Sequence, residues 1–299
     1  MNSYEMSIRL LTAHNPDGSN ATQDNRHRGL VAMGEELHSL GYKLKHARNL
    51  KPHHVNALVN HWKATRITDA TIRNRLGWLR WTADHVGKPG LIPKDNSAFG
   101  LEERTPYKGT KARRLDAATL ARVRDPGIRL ALQLQAAFGL RREEALKFRP
   151  SIGDRGDHIA LKASWCKGGR AREIRITHPR QREILDAVAR LAGNGSLIPT
   201  GRTYRQHLQT YKAQTRAAGL GQAHGLRHAY AQWRYKVLTG WPCPAAGGPP
   251  AEAMNATNRH FDSLARMQIS NELGHSRIDV TDTYLGRRWA TGHYQKATG

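Results

Sequence analysis

The chain has 299 residues, with 48 lysines and arginines against 24 aspartates and glutamates, a formal net charge of +24 at pH 7. Such an excess of cations repels itself in a compact fold unless a polyanion neutralises it, so nucleic acid is the leading partner and an anionic membrane surface the rival. No apolar run is long enough to span a bilayer, no signal-peptide pattern opens the chain, and two cysteines, Cys166 and Cys243, make no disulfide framework. A membrane-spanning or disulfide-stapled secreted class is excluded, and a reducing cytoplasm is expected.

In chain order, residues 1–21 carry the polar, turn-rich "NPDGSNAT" and predict a flexible N-terminal arm. Residues 22–100 predict a bundle of three or four amphipathic helices. Leu30, Met33, Leu37 and Leu40 recur at steps of three and four before Gly41. Val55, Leu58, Val59 and Trp62 follow Pro52, a residue suited to a first helical turn. Ile72, Leu76 and Leu79 follow a cap at Thr68 or Asp69 and precede Gly87 and Pro89. Lys63, Arg66, Arg73, Arg75 and Arg80 are expected on the open faces, as cations for a phosphate backbone. Residues 101–114 hold Pro106 and Gly109 among the basic Lys108, Lys111, Arg113 and Arg114, and read as an interdomain linker that crosses the same backbone.

Residues 115–299 read as a second domain. Asp116 caps a restarted helix, and "GIRLALQLQAAFGL" is a strongly apolar helix broken at Gly139. The alternations Ile159, Leu161, Ala163, Trp165 and Ile174, Ile176 predict two strands, joined by a hairpin turn at "CKGG". Further helices are predicted at about 179–193, 201–218, 226–238 and 260–273. The proline- and glycine-rich stretch 239–257 reads as a surface insertion. The fold class is mainly α with a small antiparallel β-sheet.

Four polar stretches stand out. In "GLRREEAL", Arg141 begins a helical turn and Glu144 lies one turn on, so the guanidinium can meet an anion while the carboxylate braces it. Lys167 sits at the predicted hairpin in "CKGG". In "HGLRH", His224, Arg227 and His228 share one helical face. In "LGHSRIDVTDTYLG", His275 follows Leu273 and Gly274, and Tyr284 follows nine positions later. Alone, each has an ordinary reading: an exposed ion pair, a solvated lysine, a polar helix face, a half-buried packing tyrosine. A zinc pair at His224 and His228 lacks the glutamate of zinc-protease helices, since Gly225 stands there, and no third ligand is evident.

Together, in order and spacing, these stretches resemble the tyrosine recombinases, the phage-integrase-like and Xer-like enzymes of site-specific DNA recombination. The H-x-x-R and L-G-H-x8-Y spacings are both met. The resemblance implies a helical, SAM-like core-binding bundle at 22–100 and a mixed α+β catalytic domain at 115–299, which clamp duplex DNA. The gap between "HGLRH" and "LGH" is longer than is usual in the family, which puts local geometry in question. Few residues follow Tyr284, with Trp289 and Tyr294 as the sizeable apolar side chains there.

The resemblance also implies roles. Tyr284 would attack the scissile phosphorus and form a 3′-phosphotyrosine. Arg141 and Arg227 would hold the non-bridging oxygens, Lys167 would protonate the departing 5′ oxygen, His224 would take the phenol proton, and His275 would bond a phosphate oxygen. Glu144 would support Arg141, with His228 a supporting residue. The covalent link conserves the energy of the broken bond, so neither metal nor other cofactor is expected. Expected partners are double-stranded DNA and further copies in a synaptic homotetramer, with an accessory DNA-bending protein as a further candidate, in a bacterial nucleoid. Integration or excision of a mobile element is the expected task. The alternatives are a type IB topoisomerase-like nicking-closing enzyme and a non-catalytic DNA-binding protein.

Overall fold

A computed structural model describes residues 3–101, 109–275 and 277–287. The chain divides into two compact units, Met1–Thr105 and Pro106–Gly299.

The first unit is a helical bundle: α1 (Ser3–His14), α2 (Asn20–Ser39), α3 (Pro52–Ala64) and α4 (Asp69–His85). Pro52 occupies the first turn of α3, and the Thr68 hydroxyl accepts from the Thr71 N–H to cap α4. The apolar positions read from periodicity form its core, with Leu30, Leu58, Trp62, Ile72 and Leu76 fully buried. Each buried leucine or isoleucine contributes about 1.5–3 kcal/mol against exposure.

The expected N-terminal arm is corrected here. Residues Ser3–His14 form a helix because Tyr4 and Ile8, four apart, insert into the bundle core, and the Ser7 hydroxyl accepts from the Ala47 N–H. Arg75 and Arg80, expected on open faces, are half-buried. Arg75 turns inward to Glu36, which also accepts from the Trp62 indole, and Arg80 donates to the Pro93 carbonyl and Asn96. A carboxylate or carbonyl within reach of a long stem gives the guanidinium a partner in the fold. Arg73 pairs with Asp69, Lys63 donates to the Phe99 carbonyl, and Arg66 is exposed.

The second unit runs α5 (Ala117–Ala121), α6 (Pro126–Phe138), α7 (Arg142–Lys147), α8 (Pro150–Gly153), β1 (His158–Leu161), β2 (Arg172–Arg175), α9 (Pro179–Ala192), α10 (Tyr204–Ala217), α11 (His224–Thr239), α12 (Ala256–Glu272) and α13 (Asp282–Leu285). Apolar α6 is its centre: Asp125 caps it, Pro126 opens it, and Ile128, Leu132, Leu134 and Phe138 are fully buried among α7, α9 and α11. The strands pair antiparallel, Ile159 opposite Ile174 and Leu161 opposite Arg172. Pairing stops there. Residues 163–165 form a 3-10 turn instead of continuing the strand, so Lys167 lies on a longer, exposed connection and not on a tight hairpin.

Residues 239–257 differ from the expected surface insertion. Cys243, Ala251 and Met254 are buried, and Cys243 packs with Tyr235, Ile269, Tyr284 and Leu285 in a core between α11 and α12. The apolar residues scattered among its prolines and glycines have no period, yet they meet a half-covered helix pair that needs them. No helix among the described residues is long and apolar enough to cross a membrane.

Candidate active site

Tyr284, Arg227, His275, His228 and His224 converge although up to 60 residues separate them in the chain. Arg227 lies in the first turn of α11 and its side chain is fully buried. It ties three elements together. Nη1 donates to the carbonyl of Gly139 at the end of α6, and Nη2 donates to that of Leu273 at the end of α12. These are orphan acceptors of two helix C-termini, which a cation satisfies well. The remaining edge faces two more side chains: Nε lies 3.4 Å from the Tyr284 hydroxyl, and Nη2 lies 3.3 Å from His275 Nε2. Burial pulls the Arg227 pKa down to about 10, so it stays cationic at neutral pH.

Tyr284 is buried in α13, its backbone carbonyl accepting from Gln232 at 3.0 Å. Three imidazoles surround its ring, with centroids at 4.5 Å for His228, 5.7 Å for His275 and 6.1 Å for His224. Desolvation first, then the neighbouring cations, hold these histidines neutral: His275 falls to about 3 through burial and the charges of Arg227, Arg141 and Arg172, and His228 to about 4 through burial and His224. His224, at the surface, is lowered by partial desolvation and by Arg227, Arg141 and Lys111. A neutral imidazole can accept a proton, which suits a group beside a phenol.

Arg141 precedes α7, and its orientation is set by Glu144. The Arg141 N–H donates to Glu144 Oε2 at 2.7 Å and Nη1 to Oε1 at 2.8 Å. Glu144 is fully buried and carries a second guanidinium: Arg172 Nη2 donates to Oε2 at 2.7 Å and Nη1 to Oε1 at 3.1 Å. Burial alone would raise the Glu144 pKa, but Arg172 and Arg141 outweigh it and hold the carboxyl at about 2.

The family model described as "Phage integrase, N-terminal" matches residues 1–92, and the model described as "Integrase" matches residues 102–233. The chain belongs to the tyrosine recombinases. Solved structures share the fold. The lambda integrase (75–356) dimer bound to a COC′ core site aligns with TM-score 0.60 and 14% identity, covering 97% of this chain and 98% of that one. The Tn1549 transposon integrase in complex with transposon right end DNA aligns with TM-score 0.56 and 13% identity, over 97% and 96%. The XerH site-specific recombinase bound to palindromic difH substrate aligns with TM-score 0.57 and 15% identity, over 98% and 82%. No curated protein sequence matches the chain.

In this recombinase the expected residues separate into groups. Arg227, His275, His228, His224 and Tyr284 are brought together, and Arg141 with Glu144 lies close enough that its charge acts on Arg227, His224 and His275. Lys167 is exposed on the β1–β2 connection, beside Cys166, whose sulfur accepts from Arg172 Nη1 at 3.3 Å. Lys111, Arg113 and Arg114 are exposed, and the segment lies against α11: the Arg113 N–H donates to the Gly225 carbonyl. A β-carbon on Gly225 would stand 2.6 Å from the Lys111 carbonyl oxygen, so glycine in "HGLRH" is what admits the basic segment. Lys108, Trp289 and Tyr294 lie outside the described residues.

Arg172 was missed by sequence reasoning. Its signal was parity: it is two residues before Ile174 and four before Ile176, on the inward phase of the strand. Its Nε also donates to the Glu272 carbonyl at 2.7 Å, linking Glu144 to the end of α12. Among the described residues no group of three His, Cys, Asp or Glu side chains is placed to hold a metal ion.

Proposed function

We propose that this recombinase cleaves and rejoins duplex DNA at specific sites through a 3′-phosphotyrosine on Tyr284, in the integration or excision of a mobile element. One observation carries the reading: the Tyr284 hydroxyl stands 3.4 Å from the buried Arg227 guanidinium, inside a shell of neutral imidazoles. The Tyr284 oxygen bonds to phosphorus as the bond to the 5′ oxygen breaks. His224 takes the phenol proton, and Lys167, from the exposed connection, returns one to the departing oxygen. Arg141 and Arg227 neutralise charge on the non-bridging oxygens, Arg141 through its open side and Arg227 through its edge toward Tyr284. His275 donates from the nitrogen not facing Arg227. A 5′ hydroxyl from a second strand reverses the step, since the phosphotyrosine keeps the bond energy.

The net charge of +24 and the exposed Lys111, Arg113, Arg114 and Arg66 support a DNA partner. The likeness to integrases of a phage and a transposon supports the mobile-element task, and the lambda integrase dimer on its core site supports action by several copies. The test is capture of the covalent complex on a nicked suicide substrate, with the linked residue mapped by mass spectrometry. The expected result is an adduct on Tyr284 that Tyr284→Phe abolishes while DNA binding persists. An adduct on another residue, or one surviving in Tyr284→Phe, overturns the reading.

A further inference from the structure

α13, which carries Tyr284, spans only Asp282–Leu285. So short a helix has no stability of its own, and its position depends on what holds its ends. The holder is Arg266 in α12, whose side chain is 1% exposed. Its Nη1 donates to Asp282 Oδ1 at the start of α13 and to the Gly286 carbonyl just past its end, both at 3.0 Å. Its Nε donates to both oxygens of Asp262, at 2.9 and 3.0 Å, and Asp262 in turn accepts from the Tyr235 hydroxyl of α11 at 2.6 Å. The guanidinium therefore links α11 and α12, the frame that carries Arg227, to both ends of the nucleophile helix. Gly286, at φ 86°, is also pressed against residues 244–245: an added β-carbon would meet the Ala245 nitrogen at 2.8 Å. Arg266 touches neither the Tyr284 hydroxyl nor any group assigned to the phosphate.

We propose that Arg266 is a positioning residue for the nucleophile: its fork, by bonding Asp282 and Gly286 at once, sets where the Tyr284 hydroxyl stands relative to Arg227. This rests on the assignment of Tyr284 above. Lysine at this position keeps a cation beside Asp262 but cannot span three partners. A nucleophile displaced by about 1 Å costs on the order of a hundredfold in rate.

The experiment compares wild type, Arg266→Lys, Asp282→Asn and Tyr284→Phe in the full chain. It measures the single-turnover rate of covalent adduct formation on the nicked substrate, DNA affinity, and amide hydrogen exchange. Arg266→Lys is expected to lose at least about tenfold in adduct rate, hold its affinity, and exchange faster only across 278–287. Asp282→Asn, which leaves the Asp262–Arg266 pair in place, shows the same pattern in milder form. It decides the matter if Arg266→Lys loses protection throughout the unit. Full adduct rate with unchanged exchange in 278–287 overturns the proposal. So does loss of rate and affinity together in Asp282→Asn. An adduct in Tyr284→Phe instead defeats the nucleophile assignment, a distinct result.

Discussion

Glu144→Gln tests how the first arginine is held. The carboxylate is fully buried and serves two guanidiniums, Arg141 on one side and Arg172 bidentately on the other. Its pKa is lowered from 4.5 to about 2 in the fold. At 1.36 kcal/mol per pH unit, that gap corresponds to ~3 kcal/mol of stability from the ionised form. The cost of breaking a buried pair by removing one partner, ~3–5 kcal/mol, is of the same size. The sign follows from the direction. A depressed folded pKa means the contribution is complete above the ordinary glutamate pKa and drains away as pH falls through that value toward about 2. Urea titration followed by amide exchange in α6 and α9 isolates the second unit. Glu144→Gln is expected to be destabilised by ~3 kcal/mol at pH 7, with the gap to wild type narrowing as pH falls from 4.5 toward about 2. Adduct formation should fall too, because Arg141 loses its brace. A difference below ~1 kcal/mol, the size of a solvent-exposed pair, would refute the reasoning. So would one that does not narrow in acid.

His228 is buried with a pKa lowered from 6.5 to about 4, so the folded state refuses a proton that the unfolded chain accepts. Its contribution is complete above pH 6.5 and falls away below it; His228→Phe should therefore lose ~2 kcal/mol less stability than wild type between pH 7 and pH 5, by urea titration at each pH. Lys167→Met should slow cleavage of ordinary DNA but recover when the bridging 5′ oxygen is replaced by sulfur, which departs without a proton; a variant equally slow on both substrates would remove Lys167 from the acid role. DNA affinity should fall steeply with salt, with a log–log slope of about −0.9 per phosphate neutralised; a fluorescence-anisotropy titration showing a flat response would exclude a phosphate-dominated interface. Arg113→Ala with Arg114→Ala should reduce that slope by roughly 2, leaving the adduct rate of bound complexes unchanged.

The helices were readable because burial on one face imposes a period near 3.6, and Leu30, Met33, Val55, Leu58, Ile72 and Leu76 obey it. The candidate residues Arg141, Arg227, His275 and Tyr284 were marked by the family resemblance that the four stretches carry together, since each alone has an ordinary reading; geometry adds only that a helical turn puts His224, Arg227 and His228 on one side. The N-terminal arm misled because polar "NPDGSNAT" dominates its composition, while two side chains, Tyr4 and Ile8, were enough to anchor a helix. The partners of Arg75 and Arg80 were not legible, because amphipathic patterning ranks residues by polarity and says nothing of which carboxylate or carbonyl a guanidinium meets.

The amino-acid sequence alone determined which residues are placed on which helical face and which polar groups stand a fixed few positions apart, since both follow from backbone repeat. Only the tertiary structure decided what meets across long stretches of chain: Arg172 with Glu144, Arg266 with both ends of the Tyr284 helix, and Cys243 in one buried cluster with Tyr284. Those meetings depend on how separate elements pack, and side-chain reach, buried charge and shape settle that packing without leaving any period in the sequence.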